Sequence, residues 1–256
     1  ERRELLEAVH LDPGVRRLAA NPLLLTILAL MRRQGVTLPE RRVELYDRYV
    51  ETLLSSWNRA RGLGRPSAQD LDVVETMRIL APLALWMHQV NPGVGLVKQG
   101  ELERKLIAIY AERREAEPER AARQFLADVR EHAGLILERG AGQYGFIHLT
   151  FEEYLAAVGI ARLGQRERGL VVNVLAEHID DPAWQEVALL TIGYLGIVQQ
   201  WEEVASDVVE ALLVRRPGAP GQAVVVAGEA VADAWPGGVT PACKEKVVWA
   251  LVETLE

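Results

Sequence analysis

The chain has 256 residues, 49% hydrophobic and 25% charged, the balance of an ordinary globular protein with room for one to three modules. Its net charge of −7 provides no global basic field to attract a nucleic-acid backbone. A single cysteine, Cys243, excludes an internal disulfide framework and fits a reducing compartment.

In chain order, residues 1–9 carry a helical pattern closed by the turn signal Asp12-Pro13-Gly14. A second pattern over 14–34 is interrupted at Asn21-Pro22. Proline lacks an N–H and pushes the preceding residue out of helical space, so Pro22 opens a new helix with Asn21 as its cap. After Gly35 a helix is predicted from Leu38 to Trp57, with Val43, Tyr46, Val50, Leu53 and Leu54 on its apolar stripe. Residues 59–67, RARGLGRPS, read as a linker. The next helix, 71–89, is expected to break or bend near Pro82. Residues 91–95, NPGVG, form a turn, and helices are predicted over 98–115 and 119–132. Two short extended runs, 135–137 and 144–148, flank Gly140-Ala141-Gly142 and predict a β-hairpin. Three helices followed by a hairpin make a winged helix.

Past Gly164, helices are placed near 168–179, 183–198, 201–215, 222–234 and 241–254. Trp184-Gln185-Glu186-Val187 is echoed by Trp201-Glu202-Glu203-Val204, and antiparallel pairs of this kind resemble HEAT-like arrays, with further pairs expected beyond residue 256. The expected fold is mainly α: a helical domain over 1–60, a winged helix over 67–165, and a helical region over 166–256. The longest apolar runs, 23–31 and 187–198, are too short for a membrane span. The chain begins on Glu1 without Met or a secretory signal, and reads as a segment of a longer protein.

The densest signal is the stretch 144–157, YGFIHLTFEEYLAA. It alternates through Tyr144, Phe146 and His148, then changes to helical spacing at Phe151, Tyr154, Leu155 and Val158. A strand thus runs straight into a helix, with Thr150 placed to cap it and Glu153 completing a capping box. His148 stands at the junction, near backbone donors and a positive dipole end where anions bind. By position alone, the plainer reading is a structural histidine.

Phe146, His148, Thr150, Phe151, Glu153, Tyr154, Ala156 and Ala157 match the F-x-H-x-[ST]-F-x-E-[YF]-x-A-A signature that closes the winged helix of NACHT-family NTPases, the family of the NOD-like receptors. Glu152 stands where Gln is more usual. The run LAANPLLLTILALM with LPERRVELYDRYVETLL likewise resembles the helical domain that follows the nucleotide-binding domain in these proteins. The resemblance implies that His148 contacts the β-phosphate of ADP and that Pro22 packs against the base, although Pro22 can equally be a plain helix start. It further implies ADP or ATP with Mg²⁺ in the full-length protein, held jointly with a nucleotide-binding domain outside this chain. The whole would be a signal-transduction ATPase, closed and monomeric with ADP and released by ATP exchange to self-associate. A cytoplasmic location and protein partners on the C-terminal helices are expected. A bacterial source, with a role in defence signalling, fits the 25 Arg against 4 Lys.

Other chemistry is sought without result. Residues 140–145 fit G-x-G-x-x-G but join two strand-like runs, so a wing turn is expected rather than a cofactor loop. No G-x-x-x-x-G-K-[ST] occurs, and the chain alone is not expected to hydrolyse nucleotide. Five scattered histidines without an H-E-x-x-H pair predict no metal site. The acid pairs Glu152-Glu153 and Asp180-Asp181 read as solvated faces or caps. In the helix before the wing, Arg120, Arg123 and Arg130 are set against Glu119, Asp128 and Glu131, and in the wing Glu138 offsets Arg139. DNA is therefore not an expected partner. Two alternatives stay open: a helical interaction scaffold with no nucleotide role, and a winged-helix DNA-binding regulator.

Overall fold

The computed structural model describes residues 10–33, 35, 37–62, 73–131, 135–165, 167–214 and 221–255. The predicted helix over 1–9 and residues 63–67 of the linker lie outside the described residues. The chain divides into two units, one of Glu1–Tyr49, Leu175–Asp180 and Ala188–Glu256, the other of Val50–Val174 and Asp181–Val187.

In the first unit, α1 (Pro13–Ala19) packs on α2 (Pro22–Arg33), which buries Leu24, Ile27, Leu28 and Met31 at helical spacing. The Oδ1 of Asn21 accepts from the backbone N–H of Leu23 at 2.9 Å and of Leu24 at 3.3 Å, so the chain restarts at Pro22 as the sequence predicts. Helix α3 (Arg42–Gly62) begins here with Val43, Leu45 and Tyr46 buried, and runs through what the sequence suggested was the start of the linker.

The second unit contains α4 (Val73–Val90), β1 (Leu96–Lys98), α5 (Gln99–Glu112), α6 (Pro118–Glu131), β2 (Ile136–Gly140), β3 (Gln143–Phe146), α7 (Leu149–Leu163) and most of α8 (Arg168–Glu177). The strands form one antiparallel sheet in the order β1-β3-β2. Strand β1 pairs Leu96 with Gly145 and Lys98 with Gln143. Residues 91–95 form the turn expected from the sequence, but the sequence reading missed β1 directly after it. Three residues are too few to show alternation, and only pairing with β3 makes them a strand.

Helix α4 is continuous through Pro82 rather than broken there. A mid-helix proline costs about 3 kcal/mol, and fully burying Leu80, Leu83 and Met87 returns about 1.5–3 kcal/mol each. Packing therefore outweighs the local defect. Its partner is α7, which buries residues on nearly every face, including Phe151, Tyr154, Leu155 and Val158. Gly159 lets the two backbones meet, since a Cβ there would lie 2.8 Å from the Ala81 carbonyl oxygen.

The remaining helices are α9 (Pro182–Gly193), extended by a π-helical turn over Tyr194–Val198, α10 (Glu202–Val214), α11 (Gln222–Ala234) and α12 (Pro241–Leu255). Within the first unit α10, α11 and α12 each pack on the other two. The tryptophans of the sequence echo differ in setting: Trp184 is the third residue of α9 and 2% exposed, whereas Trp201 precedes α10 and is 37% exposed. No helix among the described residues is long and apolar enough to cross a membrane.

Candidate functional site

His148 follows β3 with an extended backbone, φ −149° and ψ 145°, and is itself the N-cap of α7. Its Nδ1 accepts from the Thr150 backbone N–H at 3.2 Å and lies 3.0 Å from the Thr150 hydroxyl, which can donate to the same lone pair. This corrects the sequence expectation that Thr150 caps the helix. Thr150 lies inside it, and the acid of the first turn is Glu152 rather than Glu153 of the anticipated capping box. Accepting at Nδ1 has a chemical consequence. A neutral imidazole whose Nδ1 accepts carries its proton on Nε2, so the exposed ring offers an N–H donor at the positive end of a helix.

A guanidinium is anchored on the backbone just before it. The Arg139 guanidinium donates to the carbonyls of Phe146, at 3.0 Å, and Ile147, the two residues before His148. Sequence reasoning set Arg139 against Glu138. Glu138 accepts at the wing tip from the Gly142 N–H at 3.0 Å and the Tyr144 hydroxyl at 3.4 Å.

Pro22 lies in the other unit, exposed at the first position of α2, with no N–H to strand.

Glu152 is neither a solvated face nor a cap. Its side chain is 0% exposed, and its Oε1 lies 3.3 Å from Nδ1 of His88, also 0% exposed. His88 Nε2 lies 3.0 Å from the Ala183 carbonyl oxygen, which can only accept, so Nε2 carries a proton. The Trp184 ring meets His88 edge-on, with centroids 4.8 Å apart and planes at 77°. Burial pushes the Glu152 carboxyl above its ordinary value, and the hydrogen bond and charge of His88 pull it part of the way back. Of the other acid pair, Asp181 is a cap as expected, accepting from the Ala183 N–H at 2.9 Å. On α6, Asp128 is buried and accepts from Gln124, so it does not screen that surface, while Arg120 pairs with Glu117 at 2.8 Å.

Gly140, Ala141 and Gly142 connect β2 to β3 and open no helix, which removes the dinucleotide-loop reading. Among the described residues no group of three His, Cys, Asp or Glu could hold a metal ion.

The order helix, strand, helix, helix, strand, strand over α4 to β3, with a hairpin wing, defines a winged-helix protein. Residues 42–160 match the family described as a winged helix-turn-helix domain C-terminal to NACHT. The match begins within α3, ahead of α4, and ends in α7, so it takes in His148. No curated protein matches the chain.

Proposed function

We propose that this chain is the regulatory, nucleotide-sensing segment of a NACHT-type ATPase. It holds the ADP-bound closed state together with a preceding nucleotide-binding domain, and ATP exchange releases it to self-associate. The observation that carries this reading is the exposed His148 cap, tied at Nδ1 and left with an Nε2 donor, the Arg139 guanidinium being anchored on the backbone just before it. A diphosphate is an acceptor-rich anion, and such a cap, a guanidinium and a helix N-terminus are complementary to it. Pro22 serves the base. The remaining parts of the reading, a bacterial, cytoplasmic signalling role with Mg²⁺ and nucleotide supplied by the neighbouring domain, follow from the family resemblance.

The test is ADP affinity measured on the chain joined to its nucleotide-binding domain. His148→Ala weakens ADP by about tenfold, the typical worth of one charge-assisted hydrogen bond, and shifts the protein toward oligomers. Unchanged affinity and unchanged self-inhibition would instead favour a scaffold role. A specific feature supports that second reading: α12 leaves Trp249 69% exposed beside the exposed Val248 and Val252, an apolar face suited to a protein partner.

A further inference from the structure

Helices α4, α5 and α7 border a cleft of about 390 Å³, within the range of about 300–1,000 Å³ usual for small-ligand sites. From α4 come Pro82 and Trp86, one turn apart on the same face. Helix α5 supplies Lys105 and Glu112, with Ile109 between them at helical spacing.

The charge of this cleft is unlike that of the chain. Arg78, Lys105, Arg113 and Arg162 line it against a single carboxylate, Glu112. Glu75 pairs with Arg78 at 2.6 Å and also with Arg113, and counting it still leaves two positive charges in excess, in a chain of net charge −7.

Three of the four cations have a structural task. The pair between Arg113 and Glu75 fastens the end of α5 to the start of α4, and Arg78 shares the same carboxylate. Arg162, in the last turn of α7, donates to the Met77 carbonyl at 3.0 Å, at a helix end where a cation is favoured. Lys105 has no such task. It stands half-buried in the middle of α5, and among the described residues it makes no hydrogen bond or ion pair. A partly desolvated ammonium near other cations is stabilised by an anion.

Most of the remaining wall is apolar. Trp86 offers a half-buried indole, flanked by Pro82, Leu85 and Leu163. A single uncommitted ammonium matches a single negative charge, and Glu112 in the same lining opposes a second. A carboxylate is a monoanion at neutral pH, whereas a phosphate ester carries about −1.5 to −2.

We propose that this cleft binds a small aromatic carboxylate, with its charge on the Lys105 ammonium and its ring against Trp86. The site uses none of His148, Arg139 and Pro22, so its test needs no nucleotide and stands apart from the proposed ADP contact.

The experiment titrates the whole chain with 2-naphthoate, 2-naphthamide and 2-naphthyl phosphate, one aromatic body under three head groups. NMR follows the Trp86 indole N–H and the backbone amide of Gly159, which lines the cleft without a side chain. The carboxylate shifts both signals saturably and binds about fivefold more tightly than either other probe, the worth of a partly exposed ion pair. Lys105→Gln abolishes the preference for acid over amide and leaves 2-naphthamide binding unchanged. Trp86→Leu weakens the acid and the amide alike, a separate readout of where the ring sits. Four results would each overturn the proposal: no saturable shift at Trp86 and Gly159 with any probe; equal binding of acid and amide by the unaltered chain; a preference that survives Lys105→Gln; or tighter binding of the phosphate than of the carboxylate.

Discussion

His148 and Glu152 lie one helical turn apart and meet opposite environments, although both carry groups that can titrate or pair. The histidine is held at the surface by Thr150, and the acid is sealed against His88. The sealed pair makes stability depend on pH. Because burial raises the Glu152 carboxyl above its ordinary value of about 4.5, the folded state binds a proton more tightly than the unfolded chain does. Stability contributed by that proton is present below the unfolded value and is lost as pH rises through the folded one. Glu152→Gln removes this loss: its amide can still donate to His88 Nδ1 while Nε2 donates to Ala183. Thermal melts of both proteins from pH 4 to 8 should converge at the acid end, with the variant about 2–4 °C higher at pH 8, the shift expected for roughly 1 kcal/mol. A variant that melts lower at pH 8 would mean that the ionised pair stabilises the fold.

At the scale of elements, the contact between α4 and α7 sets where the wing and the His148 cap sit. Gly159 is its closest point, with the Ala81 carbonyl oxygen and Leu85 both inside normal Cβ contact distance. Gly159→Ala has two opposed effects. Alanine gains about 1 kcal/mol of helix propensity over glycine, while overpacking a close core typically costs about 1–3 kcal/mol. The obstacle includes backbone, which cannot swing aside, so the cost prevails and a lower urea midpoint is expected. A midpoint at or above that of the unaltered protein would show the helices able to slide apart without loss. The same packing explains why Pro82 leaves α4 continuous, a result the local propensity of proline argued against.

For the whole molecule, the proposed closed state requires a neighbouring nucleotide-binding domain to complete the site. The sequence lacks the phosphate loop and its lysine, and among the described residues no carboxylate cluster could place a metal. The purified chain is accordingly expected to show no ATP turnover above buffer under saturating nucleotide and Mg²⁺. Phosphate release that disappears with Glu152→Gln or His148→Ala, and so belongs to this chain rather than to a contaminant, would require its role to be redrawn.

The winged-helix order, the restart at Pro22 and the placing of His148 between strand and helix were all legible in the sequence. Each is written in a local signal: a change of hydrophobic period, a proline beside a capping residue, a glycine turn between extended runs. The burial of Glu152 and the existence of β1 were not legible. Each depends on a partner distant in the chain: His88, 64 residues before Glu152, or the pairing of Leu96 with Gly145. Local spacing reports which face of an element is apolar. Only the packed structure decides which polar group is carried inside with it, because that choice rests on whether a remote residue arrives to share the proton.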